Sequence, residues 1–422
     1  MELDLHADQS HMSSMTTPPH IARPKGAAAE VFVAFLRLGL TSFGGPAAHL
    51  GYFRNEFVGR RGWLDDQAYA DLIALCQFLP GPASSQVGFT IGLHRAGPLG
   101  ALAAWAGFTL PSALLMTTLA LSAPALSQGI SPAMASAAIH GLKLAAVAIV
   151  AQAVWGMARS LAPDRTRATL ALFGLALTTL VPGAMGQIGA ILLGASGAIL
   201  LLRKAAASET SSLMDISLPV SRTAGLVSLG LFALLLLVPP ILQPVLHSRN
   251  LAVFDAFYRS GALVFGGGHV VLPLLKSQLV DTGWLGTEPF LSGYALAQAI
   301  PGPLFTLSAY LGAILKTGPN GVFGAVLALI AIFLPGLLIL VAALPFWSRL
   351  RGLRWAQHAM KGANAAVVGL LGSVLYNPLW IGSIHSPFDF LVVAAALIGL
   401  TRWNCPPLIV VLACLASGLA GL

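Results

Sequence analysis

The sequence predicts an all-α polytopic membrane protein with two inverted repeats of six hydrophobic segments each, broken or re-entrant helices, and one extra linking span. Of its 422 residues, 56% are hydrophobic and 9% are charged, whereas about 25% are charged in a typical soluble domain. Apolar runs cover almost the whole chain, whose mean hydropathy is +0.81. Landmarks of the first half also recur, in the same order, in the second half.

Shifts in composition divide the chain into five regions. Residues 1–26 are polar and begin acidic without an early apolar core, so we expect a disordered cytoplasmic tail rather than a signal sequence. Residues 27–203 form an N-terminal repeat, and residues 251–422 form a C-terminal inverted repeat. Between them, the polar stretch 204–222 is predicted to be a cytoplasmic linker, and residues 223–250 a connecting transmembrane span.

Each half contains six hydrophobic segments, and one odd segment lies between the halves. They cover residues 28–58, 66–94, 98–126, 132–161, 166–181 and 185–203, then 223–243, and then 251–280, 287–315, 319–347, 354–376, 387–401 and 406–422. The first two segments would be about 45 Å long as single helices, although the hydrocarbon core of a bilayer is about 30 Å thick. Each therefore either tilts strongly or forms a re-entrant hairpin of two half-length helices.

The distribution of basic residues favours hairpins, because cytoplasmic loops are rich in Lys and Arg. Hairpins keep Arg60 and Arg61 on the cytoplasmic side together with most other basic residues, and leave only Arg249, Lys276 and Lys316 outside. With straight spans, Arg60 and Arg61 would lie outside as well.

The repeat is defined by helix breakers, charges and aromatic residues in matching order. The matched pairs are Arg37 with Arg259, Phe43 with Phe265, Trp63 with Trp284, the turn 80–82 with 301–303, Arg95 with Lys316, Pro111 with Pro335, His140 with His358, and Lys143 with Lys361. Six segments return the chain to its starting side and the odd span crosses once more, so the second half should be inverted. Inverted repeats recur in secondary transporters.

Residues 37–56, RLGLTSFGGPAAHLGYFRNE, interrupt the first apolar segment. Gly44, Gly45 and Pro46 disfavour a continuous helix, and the backbone groups freed by the break need partners that lipid cannot supply. The second half repeats this break as FGGG at 265–268, and both halves contain a second break, Pro-Gly-Pro. We expect paired half-helix breaks that line one polar path.

Several functions are disfavoured by the sequence. The net charge of +8 is scattered among short loops, which argues against a nucleic-acid partner. The three cysteines show no metal-type spacing, so we expect no metal and no cofactor. No GxxxxGK[ST] motif occurs, and no catalytic set such as HExxH is present. Transport must therefore use ion gradients, and an enzyme is not expected.

The stretches FLRLGLTSFGGPAAHLGYFRNEFV and FLPGPASSQVGFTIGLHRAGPLG, with FGGGHVVLPLL and ALAQAIPGPLFTLSAYLGA in the second half, resemble the chromate ion transporter family in its long two-domain form. The resemblance covers about residues 28–422. It implies export of chromate across the bacterial inner membrane and chromate resistance, with sulfate as a related, competing anion. His49 and Glu56 have no counterparts in the second half, where Val271 and Gln278 stand instead.

A tetrahedral dianion in a bilayer needs guanidinium, ammonium or helix N-terminal N–H donors, and ionisable groups inside membrane segments are functional candidates by default. The residues expected to bind substrate are Arg37, Ser42, Phe43, Gly44, Gly45, Pro46, Pro80, Gly81, Pro82, Ser84, Lys143, Arg259, Phe265, Gly266, Gly267, Gly268, Pro301, Gly302, Pro303 and Lys361. Ser85 and Thr306 are further N-cap or hydroxyl donors. Each of these residue types also has an alternative, structural role. Arg37 could form an ion pair with Glu56, the glycines could serve helix packing, and the lysines could reach the lipid headgroups.

Proton coupling is a second expectation, because a histidine can change its charge near neutral pH. The candidates are His49, Glu56 and His269, and a purely hydrogen-bonded structural role is the alternative for each histidine. We expect alternating access driven by the membrane potential, by ion exchange or by both. An uptake carrier for sulfate and an anion channel are the competing functions. The expected partners are chromate, sulfate and the lipid bilayer, and a homodimer is left open.

Overall fold

The computed structural model describes residues 27–43, 45–128, 131–181, 183–201, 220–265, 268–316, 318–347 and 353–420. The predicted tail, most of the predicted linker, and Gly44, Gly266 and Gly267 lie outside the described residues. The described residues form helices and connecting turns without any β-strand, which confirms the predicted all-α class.

The helices of the first half follow the predicted apolar segments closely. They are α1 (Ala28–Thr41), α2 (Gly45–Phe53) with a π-helical continuation (Arg54–Arg60), α3 (Asp66–Phe78), α4 (Ala83–Gln128), α5 (Pro132–Leu161), α6 (Arg165–Leu180) and α7 (Ala184–Leu201). α4 bends sharply at Ala96 and Gly97, whose backbone angles are not helical. It therefore has a short arm before the bend and a long arm after it.

The second half begins after the odd helix α8 (Arg222–Leu246). Its helices are α9 (Arg249–Ala262), α10 (Val271–Leu275), α11 (Thr287–Ala299), α12 (Leu307–Ala313), α13 (Gly321–Ala343), α14 (Arg354–Val374), α15 (Pro387–Thr401) and α16 (Pro407–Ala420). In the part of the chain that the structure describes, five stretches are long and apolar enough to cross a membrane: Ala83–Ala123, Ala133–Leu161, Arg222–Leu246, Gly321–Phe346 and Arg354–Trp380. The protein is thus a multi-pass membrane protein.

The first apolar segment folds back on itself at its break. α1 has 14 residues, so it is only about 21 Å long. Aromatic residues on the two sides of the break touch one another: the Phe35 and Phe53 rings are 5.5 Å apart, and the Phe35 and Phe57 rings stack at 4.7 Å. Glu30 and Arg61, at the two ends of the segment, form an ion pair of 3.6 Å. The segment is therefore a hairpin with both ends at one side, which we call its base.

The second segment forms a matching hairpin with its tip at the Pro-Gly-Pro turn. Its far end, Arg95, forms an ion pair of 3.1 Å with Glu30 and lies 5.1 Å from the ring centroid of Trp63. Both hairpins of the first half thus share one base. In the second half, the Lys316 N–H donates to the Trp284 carbonyl at 3.4 Å, which closes the equivalent second hairpin.

Helix α13 bears on the relative direction of the two halves. It starts just after the hairpin bases of the second half and passes Gly81, at the tip of a first-half hairpin, with its residue Gly336. Beyond the end of α13, the Trp347 Nε1–H donates to Asp71 Oδ1 at 3.3 Å, and Asp71 lies on α3 back toward the base of that hairpin. If α13 instead started at the base of the first-half hairpins, the chain beyond Gly336 would move away from Asp71. These contacts agree with the predicted inversion of the second half, which stays a prediction.

The remaining helices of each half pack on those of the other half. α5 packs on α15 and α16, while α14 packs on α6 and α7. Glycines allow this close approach: a Cβ built on Gly362 of α14 would overlap the Gly194 backbone of α7, and one on Gly141 of α5 would overlap the Cys414 backbone of α16. Small residues are the usual means by which membrane helices approach closely.

Candidate functional site

The tips of the hairpins from the two halves meet and exchange backbone hydrogen bonds. The Gly81 N–H donates to the Val264 carbonyl at 2.7 Å, and the Gly302 N–H donates to the Ser42 carbonyl at 2.9 Å. Gly81 and Gly302 are equivalent positions in the two repeats, as are Ser42 and Val264. Each Pro-Gly-Pro break therefore satisfies the carbonyl exposed by the opposite glycine-rich break.

These two hydrogen bonds depend on backbone conformations that favour glycine. Gly81 has a φ of 121° and Gly302 a φ of 104°, a region that side chains with a Cβ rarely occupy. Space is equally restrictive: a Cβ on Gly81 would be 2.8 Å from the Gly336 Cα, and one on Gly302 would be 2.7 Å from the Ser112 Oγ. Ser112 and Gly336 each follow a matched proline, so these contacts also repeat in the two halves.

The first-half break presents polar side chains to this junction. His49 on α2 is 1% exposed, its Nδ1 lies 3.4 Å from the Ser84 Oγ on α4, and its ring meets the edge of Phe108 at 5.1 Å. Ser42 is fully buried. His49 thus links the first break to the start of α4.

Several buried polar atoms near this break make no hydrogen bond within the described residues. They are Ser42 Oγ, His49 Nε2, Ser85 Oγ, Gln86 Oε1 and Thr109 Oγ1. Most buried polar groups in folded proteins are hydrogen-bonded, so their concentration beside one break is unusual.

The second-half break brings another histidine to the same junction. The His269 Nδ1 lies 2.9 Å from the Tyr294 hydroxyl and 3.2 Å from the Gln298 Nε2. Both of these groups can donate to that nitrogen, which leaves Nε2 to carry the ring proton. A Cβ on Gly45 would be 4.0 Å from this Nε2, and one on Gly268 would be 3.2 Å from the Pro46 ring. His269 therefore faces the first-half break.

Within the described residues, the predicted cations form no ion pair with residues of the hairpin tips. Arg37 is exposed on α1, and its predicted alternative partner, Glu56, is paired elsewhere. Arg259 forms an ion pair of 2.8 Å with Asp255 on its own helix. Lys143 pairs with Glu288 at 3.2 Å, and Lys361 is exposed. Their roles in binding an anion remain predictions.

Glu56 belongs to a charged cluster at the base of the first-half hairpins. Its carboxylate accepts hydrogen bonds from Arg60 and, at 2.6 Å, from Arg61. Arg61 and Arg95 both lie 5.1 Å from the ring centroid of Trp63. Partial burial alone would raise the pKa of Glu56, but the two guanidinium groups outweigh burial and lower the pKa. Glu56 is therefore ionised at neutral pH, which weakens its candidacy as a proton carrier.

The sequence analysis missed the residues that support the tips. The Gln86 Nε2 donates to the Pro80 carbonyl at 2.9 Å and to the Gly336 carbonyl at 2.8 Å. This amide holds the first Pro-Gly-Pro turn against the second half. Thr306, predicted as an N-cap or hydroxyl donor, donates its hydroxyl hydrogen to the Pro303 carbonyl at 2.9 Å. The sequence did contain a signal for Gln86, since it is an isolated Gln in an apolar helix, four residues after a proline.

Other candidates can be placed but make no distinctive polar contact. Phe43, Pro46, Pro80, Phe265 and Pro301 are half-buried, whereas Pro82 and Pro303 are buried. Among the described residues, no group of three or more His, Cys, Asp or Glu side chains is arranged to hold a metal ion.

Comparisons with known proteins agree with the duplicated architecture. A sequence model of the family described as "Chromate transporter" matches residues 29–202 and again residues 251–422. A chromate transport protein of Pseudomonas aeruginosa is 29% identical over 96% of this chain and 93% of its own length. A probable chromate transport protein of Synechococcus elongatus is 30% identical over 91% of this chain and 93% of its own length. One from Cupriavidus metallidurans, named a chromate transport protein, is 27% identical over 82% of this chain and 81% of its own length. No solved structure matches the chain.

Proposed function

Since the chain belongs to the chromate transporter family, we propose that it exports chromate, a sulfate-like tetrahedral dianion, across the bacterial inner membrane and so confers chromate resistance. Family membership supports chromate as the transported substrate and a transporter rather than an enzyme. The proposed orientation has the N-terminus in the cytoplasm, because that arrangement keeps most basic residues on the cytoplasmic side.

The observation that carries the mechanism is the reciprocal contact between the hairpin tips. Non-helical backbone at membrane depth is tolerated only where protein buries it or where it lines a watery cavity. The Gly81 and Gly302 hydrogen bonds show that each half buries the broken backbone of the other. Substrate sites of transporters built from inverted repeats lie near the midplane at such an interface. We place chromate there and infer that the halves rock around it to give alternating access.

The membrane potential is the proposed driving force. Moving one elementary charge across 100 mV is worth about 2.3 kcal/mol. A dianion that leaves a negative cytoplasm therefore gains about 4.6 kcal/mol per 100 mV. Exchange for a proton or another anion could add to this, with His49 and His269 as the coupling candidates. Both lie at the junction of the tips.

The direct test uses everted inner-membrane vesicles, in which export appears as uptake. Vesicles containing the protein should accumulate labelled chromate, and dissipating the voltage should lower uptake more than dissipating the pH gradient. Sulfate should compete. Vesicles that contain folded protein but take up no more chromate than empty vesicles would contradict the proposal.

Counterflow separates a carrier from an anion channel. An unlabelled anion on the opposite side should stimulate uptake of labelled chromate through a carrier, whereas a channel would show no such stimulation. A sulfate uptake carrier would instead accumulate sulfate in right-side-out vesicles.

The predicted arginines are tested in the same assay. Arg37→Ala and Arg259→Ala should each lower chromate flux if their charges draw the dianion into the path. Arg54→Ala is a suitable control, because Arg54 is exposed and paired with the exposed Asp66. Unchanged flux in both folded variants would remove these arginines from the path while leaving chromate export itself intact.

A further inference from the structure

We propose that the oxyanion is held at the first-half break alone, by the uncharged donors Ser42, His49 and Ser85 and the adjoining helix N-termini. The second half supplies His269 and an apolar wall in place of an equivalent second site. This inference rests on the proposed function, because it takes chromate or sulfate as the ligand.

The first argument is the set of buried side chains without partners. Ser42, His49 and Ser85 are 0%, 1% and 2% exposed. Ser42 Oγ, His49 Nε2 and Ser85 Oγ make no hydrogen bond within the described residues, although leaving such groups unsatisfied is costly. An oxyanion has four oxygen acceptors, so a single ligand could accept from several of these groups at once.

The second argument is the meeting of two helix N-termini at this break. α2 begins at Gly45, three residues after Ser42, and α4 begins at Ala83, two residues before Ser85. His49, the fifth residue of α2, contacts Ser84, the second residue of α4, so the two helices approach each other near their starts. The first backbone N–H groups of a helix have no partner within it, and the helix dipole favours negative charge there.

The equivalent positions of the second half lack both features. Val264 and Val271 stand where the first half has Ser42 and His49, and Phe305 stands in place of Ser84. Thr306, the counterpart of Ser85, already donates to the Pro303 carbonyl. The second-half helices also begin differently, because a 3-10 turn precedes each of them: Gly268–Val270 before α10 and Leu304–Thr306 before α12. A symmetric pair of sites is therefore not built.

The third argument concerns charge. No contact within the described residues brings a Lys or Arg to the tips, since Arg259 pairs on its own helix and Arg37 is exposed. Neutral donors can bind a dianion in a buried site without the strong ion pair that would slow its release. His269 closes this site from the second half, with its Nε2 facing Gly45.

The experiment measures equilibrium binding of labelled chromate, and of labelled sulfate, to the purified full-length protein. Ser42→Ala and Ser85→Ala should each weaken binding at least tenfold. Because neither hydroxyl has a partner in the described structure, thermal stability without ligand should be unchanged or higher. Ser308→Ala is the matched control: Ser308 is also fully buried, but its hydroxyl already donates to the Phe305 carbonyl at 2.8 Å. This control should bind within twofold of the wild type.

Each outcome decides between the two proposals. Wild-type protein that binds neither anion would contradict the proposed function. Wild-type binding that survives in Ser42→Ala and Ser85→Ala, or is lost equally in Ser308→Ala, would overturn the single first-half site and leave chromate transport standing. If one alanine variant does not fold, the other still tests the site, and the same tenfold loss is expected from it.

Discussion

Gly302 is the position at which one added methyl group tests the contact between the halves. Its φ is 104°, and a Cβ there would lie 2.7 Å from the Ser112 Oγ and 3.4 Å from the Phe108 carbonyl oxygen. Backbone strain of this kind costs about 1–3 kcal/mol, and overpacking costs about 1–3 kcal/mol more. Weakening the 2.9 Å hydrogen bond to Ser42 adds about 0.5–1.5 kcal/mol. We expect Gly302→Ala to lower the free energy of unfolding by about 2.5–7.5 kcal/mol and to abolish most chromate flux.

The measurement is denaturant unfolding in mild detergent, followed by vesicle uptake of labelled chromate. Gly283→Ala isolates the strain, because Gly283 has a φ of 78° and no atom within 4 Å of its built Cβ; it should cost only about 1–2 kcal/mol. Adding Ser112→Gly to Gly302→Ala removes the closest overlap and should restore part of the stability. If Gly302→Ala lowers the free energy of unfolding no more than Gly283→Ala does, the tips are not tightly packed around Gly302.

Three further changes probe other parts of the architecture. Trp347→Phe removes the hydrogen bond to the Asp71 carboxylate and should cost about 1–3 kcal/mol in denaturant unfolding; an unchanged midpoint would contradict a link between the halves at this point. Glu56→Gln should reduce the loss of stability that the protein shows at acid pH. The folded pKa of Glu56 lies below 4.5, so the stability contributed by its ionised carboxylate is present above pH 4.5. That contribution is lost as the pH falls through the folded pKa. Melting temperatures measured from neutral to acid pH should converge for wild type and variant, and parallel curves would argue against this role. Gly362→Ala would overlap the backbone of α7 and should cost about 1–3 kcal/mol, whereas Gly156→Ala, with open space around it, should be neutral or stabilising in the same unfolding assay.

The sequence predicted the helices and their breaks because both leave local signals. Apolar runs gave the segments, and the Gly-Pro clusters gave the interruptions, since those residues disfavour a continuous helix wherever they stand. The length of residues 28–58 left a strongly tilted span or a hairpin, and the placement of Arg60 and Arg61 favoured the hairpin. The Phe35 contacts with Phe53 and Phe57 agree with the hairpin. The family model matches residues 29–202 and 251–422, while the five predicted regions stay predictions.

The partners of each break could not be predicted from the sequence. A Pro-Gly-Pro turn predicts a helix end, but nothing local indicates that its N–H will donate to the opposite half, across 183 residues from Gly81 to Val264. The partners of the ion pairs could not be predicted from the sequence for the same reason. Arg37 was a possible partner of Glu56, yet Glu56 pairs with Arg60 and Arg61 at the hairpin base.

The reciprocal tip contact also constrains any rocking motion between the halves. The Gly81 and Gly302 N–H groups each have one described acceptor, and that acceptor lies in the other half. A motion that separates the tips would leave both donors unsatisfied unless water or substrate replaces the lost carbonyls, and each such loss is costly in a bilayer. Because the two bonds occupy equivalent places in the repeats, such a motion would strain them together. An oxyanion bound beside Ser42 offers new acceptors at the moment when the bond from Gly302 weakens. Movement of the tips would then be least costly when substrate is present, and an empty carrier would rock more slowly than a loaded one.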